Sequence, residues 1–174
     1  MNRSERLAKF GWLFSYQFAW FACVYGALVG WMISGLSLIT LWTFARIWMG
    51  GAERGSRAAL ALQSALLGYC LDSLLVLVGA MRFPLELQLG GPSPLWMVGL
   101  WFAFGASLEE ALGGLRSRPL LAAVIGAAGG ALAYWGGAGI GALEIDEPVY
   151  GLSLIGLAWG LALPLLLLRG RAQS

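Results

Sequence analysis

The sequence has no histidine, a single lysine (Lys9), and charge on only 11% of its 174 residues. Without histidine there is no imidazole to ligate haem, chlorophyll or zinc, and no Ser-His or Cys-His nucleophile pair. A retinal-type Schiff base needs a lysine in mid-span, whereas Lys9 stands at the edge of an apolar run. Cys23 and Cys70 are too few for a disulfide framework. Both lie in apolar runs, so buried free thiols are expected, with a helix-to-helix bridge as the alternative. Charge is scarce against the roughly 25% of an ordinary soluble domain. A soluble domain this small needs polar side chains to cover it, and here 59% of residues are hydrophobic. The composition reads as an integral membrane protein, with no cofactor, metal or nucleic-acid partner expected.

What is present is a series of apolar runs, each near the ~20 residues that cross a bilayer as a helix. They fall at Phe10–Val29, Trp31–Trp48, Ala58–Met81, Pro94–Leu115, Pro119–Leu143 and Val149–Leu168. The expected fold is all-α: one transmembrane domain over residues 1–174, a bundle of six helices. The first two runs are nearly continuous. As one helix they would extend roughly 58 Å, about twice the hydrocarbon thickness, so a turn between Gly26 and Gly35, centred on Gly30, is expected. A basic start (Arg3, Arg6, Lys9) suits a signal peptide, but the apolar stretch is too long, contains Gln17 and runs straight into the next span. It is read as a retained helix.

Orientation follows from the cations. Arg3, Arg6, Lys9, Arg46, Arg54, Arg57, Arg116, Arg118, Arg169 and Arg171 fall on one side of a six-span arrangement, and only Arg82 on the other, beside Glu86, Glu144, Asp146 and Glu147. By the positive-inside rule the ten mark the cytoplasm, which places both termini there. Adding or removing one span would scramble the partition. Trp12, Trp31, Trp48, Trp96 and Tyr150 fall near span ends, where amphipathic rings favour the headgroup region.

Two spans carry packing signals. In the fifth, Ala122, Gly126 and Gly130 repeat at four-residue spacing, as do Gly137 and Gly141. Such faces let helix backbones approach closely, within the monomer or across a homo-oligomer contact. In the third, Leu67, Leu71, Leu74 and Val78 form a face suited to lipid. Ala65, Gly68, Tyr69, Asp72, Val76 and Gly79 form the other, so Asp72 is expected to point into the bundle.

Ionisable groups inside the hydrocarbon are costly and by default are functional candidates. Asp72 is expected roughly 14 Å from the outer end of its span, and Glu109 and Glu110 roughly 8–9 Å from the cytoplasmic end of theirs. Two polar layers result: Gln17, Gln63, Glu109 and Glu110 in one, Asp72 with Tyr134 and Trp101 in the other. Asp72 handles a ligand or proton, or is a protonated acid hydrogen-bonded to Tyr69, Tyr134 or a carbonyl. The two glutamates are site residues or edge ion pairs with Arg116, Arg54 or Arg57. Consecutive positions diverge by about 100° on a helix, which argues against a carboxylate-pair hydrolase. A glutamine in a span is more often interhelical glue than a ligand.

The runs Tyr16-Gln17-Phe18-Ala19-Trp20-Phe21-Ala22-Cys23-Val24 and Gly68-Tyr69-Cys70-Leu71-Asp72-Ser73-Leu74-Leu75 are followed in order by Gly79, Arg82-Phe83-Pro84, Pro94-Leu95-Trp96-Met97, Leu100-Trp101-Phe102-Ala103 and Gly129-Gly130-Ala131-Leu132-Ala133-Tyr134. Together they resemble the small bacterial inner-membrane family known as domain of unknown function 2878. The resemblance implies a setting rather than a reaction, because similar proteins tend to be encoded beside fatty-acid-modifying genes of the cyclopropane-synthase and flavin amine-oxidase kinds. This chain departs from the family pattern at Glu109-Glu110, where an Asn-His pair is expected, and at Ala131, where proline is expected.

Three functions compete. The first is an accessory protein for lipid or fatty-acid modification in the bacterial inner membrane, holding a lipid or a lipid-modifying enzyme. The second is a small transporter or flippase using Asp72, though no inverted repeat or broken span pair is visible. The third, an intramembrane enzyme with Asp72, Tyr134 or the glutamates as acid or base, lacks any nucleophile motif.

Overall fold

A computed structural model describes residues 3–170. The described chain is helical: α1 (Arg3–Leu28), α2 (Met32–Trp48), α3 (Arg54–Leu77), α4 (Leu95–Leu112), α5 (Pro119–Gly139) and α6 (Pro148–Gly170), with three short 3-10 turns. Among the described residues no strand forms, and the sole β-bridge pairs Arg82 with Glu144. Arg171 lies outside the described residues. Four segments are long and apolar enough to cross a membrane: Gly51–Leu77, Leu95–Leu115, Pro119–Gly139 and Pro148–Arg169. The shorter apolar helix Met32–Trp48 extends about 26 Å, slightly less than a ~30 Å hydrocarbon core.

Consecutive helices pair as three hairpins, α1 with α2, α3 with α4 and α5 with α6. The first turns at Gly30, whose φ of 81° is open to glycine without strain. Each hairpin closes where a glycine lets two backbones meet. A Cβ on Gly35 would stand 2.9 Å from the Cys23 carbonyl, one on Gly105 2.7 Å from that of Leu60, and one on Gly126 2.5 Å from that of Trp159. The Ala122–Gly126–Gly130 face is therefore spent inside the monomer, against α6. Gly141 is not part of a packing face: with φ of 83° it turns the chain after α5.

The sequence-based boundaries shift at one end. α3 stops at Leu77 rather than Met81, and α5 at Gly139 rather than Leu143. The chain segments beyond them fold over the bundle end instead of extending the helices. Ala80, Met81, Phe83, Leu87, Ala142 and Leu143 are buried there. Trp96, expected among headgroups, is only 1% exposed and donates its indole N–H to the Leu87 carbonyl at 3.0 Å. The two connections are stitched together by paired Arg82–Glu144 backbone bonds of 2.9 and 2.8 Å. The Arg82 guanidinium adds bonds to Glu144 (2.5 Å) and Asp146 (2.7 Å). These partners hold its pKa above the ordinary arginine value, the Glu144 hydrogen bond first.

α4 is the hub, packed on α1, α2, α3 and α6. On α3 the exposed face is Leu62, Leu66, Cys70, Leu74 and Leu77. Leu67 and Leu71, expected toward lipid, instead pack on the core, because α3 is rotated to bring Ser64, Gly68 and Asp72 onto α4. Both thiols are free, and Cys70 is exposed on that outer face rather than buried.

Candidate functional site

The site begins with a repeated spacing. On α3, Gly68 precedes Asp72 by one helical turn, and on α5, Gly130 precedes Tyr134 by one turn. Each glycine receives an indole from a neighbouring helix. A Cβ on Gly68 would fall 2.0 Å from the Trp101 ring, and one on Gly130 2.2 Å from that of Trp159. The two indoles stack on each other at 4.2 Å and 17°. Four helices thus meet through two tryptophans seated on two glycines.

Beside this stack lies the carboxylate. Tyr134 donates its hydroxyl to Asp72 Oδ1 at 2.5 Å, and Trp101 donates Nε1 to Asp72 Oδ2 at 2.9 Å. Asp72 is fully buried, and Trp101 and Tyr134 nearly so. Each carboxyl oxygen has one neutral donor, and no ion pair involves Asp72 among the described residues. Among the described residues no three His, Cys, Asp or Glu side chains converge, so this arrangement offers hydrogen bonds. Asp72 sits five residues from the end of α3, about 7.5 Å, half the depth of a helix running to Met81.

Tyr134 also faces a cavity of about 580 Å³. Its walls are α1 and α5, which barely touch each other among the described residues, and its floor is α4 and α6. Trp20 and Phe21 line it from α1, Trp101 and Phe104 from α4, and Gly129 and Gly136 from α5. Apart from the indoles of Trp20, Trp96, Trp101 and Trp159, polar side chains are few: Tyr16 and Gln17 on α1, and Tyr134. The Trp159 Nε1 is buried without a hydrogen-bond partner.

The structure therefore brings together Asp72, Tyr134 and Trp101, as the polar-layer argument expects. Tyr69 is not with them; its hydroxyl donates to the Gly91 carbonyl at 2.8 Å in the α3–α4 connection. The second expected layer does not assemble. Gln17 is exposed along the cavity wall, while Gln63 keeps a buried Oε1 without a partner. Glu109 and Glu110 diverge. Glu110 is clamped between Arg46 and Arg57, the latter at 2.8 Å, and Glu109 pairs with Arg116, whose Nε also donates to the Leu167 carbonyl. Of the arginines expected as partners, Arg54 instead lies over Trp48. Arg46, only 4% exposed and stacked over Trp12 at 4.6 Å, is the partner that sequence reasoning missed.

The family described as "Protein of unknown function (DUF2878)" matches residues 10–165. No curated protein and no solved structure matches the chain.

Proposed function

We propose that this chain, which belongs to the DUF2878 family of unknown function, is a multi-pass protein of the bacterial inner membrane that holds a lipid chain for lipid or fatty-acid modification. The reading has six spans with both termini cytoplasmic, all within one transmembrane domain. Supporting it are four helices long and apolar enough to cross a membrane and the ten-to-one partition of cations along the sequence.

One observation carries the functional part: the apolar groove between α1 and α5. Its ~580 Å³ lies within the ~300–1,000 Å³ common for small-molecule sites. Its lining is almost entirely apolar or aromatic, and its side walls are helices that a bilayer would surround. A ligand entering sideways from the membrane needs a long apolar body, which describes an acyl chain. Asp72 fits the transporter reading less well, because both its oxygens are bonded and it does not line the groove. In this proposal membrane lipids are the ligands, a lipid-modifying enzyme is the partner, and a second copy is a further candidate partner.

The test uses Gly129, which lines the groove and where an added Cβ meets nothing within 4 Å, so a side chain can start into the groove from there. Native mass spectrometry of gently extracted protein is expected to show a retained lipid or fatty acid, and Gly129→Phe is expected to lose it. Equal retention by the variant would defeat the groove reading. Unchanged lipid composition in a deletion strain would defeat the modification role.

A further inference from the structure

Accepting the groove as a lipid site, we infer that it takes a free fatty acid in its uncharged form, with the carboxyl group on the Gln17 amide and the chain running toward the α5–α6 connection. The argument is one of an unpartnered amide, a direction and a charge.

The amide comes first. Gln17 stands seven residues into the first apolar run, about 10 Å from its edge, and is exposed on the α1 wall of the groove. Its side chain offers two donor hydrogens and an acceptor oxygen. Among the described residues it has no hydrogen-bond partner. An amide facing hydrocarbon unpaired is costly, and a ligand that both donates and accepts removes that cost.

The walls set the direction. α1 contributes Tyr16 and Gln17, then Trp20, Phe21 and Val24, so its polar pair stands at one end. The Cys23 thiol donates to the Trp96 carbonyl at 3.8 Å, which puts the other end beside the start of α4. Ala142 and Leu143 of the α5–α6 connection, both buried, line the groove there. A single chain therefore has its polar end at Gln17 and its methyl end toward Leu143.

The walls also set the charge. None of the described lining residues is Lys, Arg, Asp or Glu. A carboxylate brought there without a counter-charge takes up a proton instead. The acid then donates its O–H to the Gln17 carbonyl oxygen and accepts an amide N–H at its own carbonyl. An ester can only accept, and the ester of a phospholipid would have to leave the headgroup level to reach Gln17.

The experiment compares palmitic acid, palmitamide and methyl palmitate as competitors of a fluorescent fatty acid on the full-length protein in phosphatidylcholine nanodiscs. The acid and the primary amide, which both donate and accept, are expected to bind about five-fold more tightly than the ester, the scale of one net hydrogen bond. Gln17→Met should erase that difference. A palmitic acid carrying a diazirine near its methyl end is expected to label Met97, Ile140 or Leu143. Palmitamide binding as weakly as the ester would overturn the inference, because charge rather than pairing would then select the acid. Labelling near Gln17 by the methyl end would overturn the direction. Equal affinity for all three chains, sensitive to Gly129→Phe, would overturn this inference and leave the groove reading intact. Failure of all three to bind would overturn both.

Discussion

Asp72 holds two donors that have no other acceptor: the Tyr134 hydroxyl and the Trp101 indole N–H. Replacing it by leucine leaves both buried and unsatisfied, at roughly 1–3 kcal/mol each. Asp72→Leu is expected to lower the unfolding midpoint in detergent markedly. Asp72→Asn, which keeps one acceptor oxygen, should lie between it and the parent. If Asp72→Leu unfolds with the parent, the network contributes nothing to the fold. A carboxyl and a tyrosine stand out in apolar spans, so these two residues are legible in the sequence. The Trp101–Trp159 stack is not, because an aromatic ring in an apolar run looks the same whether it faces lipid, a helix or a second ring. Its signal was the glycine one turn before each polar residue, Gly68 and Gly130, whose missing side chains make the seats.

Among elements, α2, α3 and α4 are tied at one end by Glu110 with Arg46 and Arg57. Both arginines are largely buried and Glu110 is partly so. Removing the carboxylate leaves Arg46 without its charge partner; breaking buried pairs costs ~3–5 kcal/mol, and the partial exposure places Glu110→Gln at about 3 kcal/mol or below. Glu109→Gln removes a more exposed pair and should change stability by about 1 kcal/mol or less. Thermal unfolding of the two variants side by side checks the ranking, and a reversed order would refute it. The divergence of the two glutamates was readable from helical periodicity, as was the edge ion-pair reading. Which arginine faces which glutamate was not, because that depends on how α2 rotates against α4. The rotation of α3 escaped for a similar reason. With apolar residues at Leu62, Leu66, Leu67, Leu71 and Leu74, hydrophobicity alone allows more than one outward face, and contact with α4 selects one.

For the whole molecule, the six-span reading places the α1–α2, α3–α4 and α5–α6 connections outside and the α2–α3 and α4–α5 connections in the cytoplasm. Reporter fusions after Gly51 and Leu115 should be active as cytoplasmic reporters, and fusions after Gly90 and Glu144 as periplasmic ones. A cytoplasmic signal after Gly90 would overturn the topology. Helix number and the Gly30 turn were legible because run length and glycine position are local properties. The groove was not, since it exists only where α1 and α5 fail to meet. The Arg46–Glu110–Arg57 clamp also bears on synthesis. On the ribosome Arg46 and Arg57 are made before Glu110, so in the six-span reading the first three helices reach the bilayer with two cations lacking their shared counter-charge. The fourth helix supplies that charge, so a chain truncated after α3 is expected to be degraded faster than the parent in a pulse-chase, and an equal lifetime would refute this.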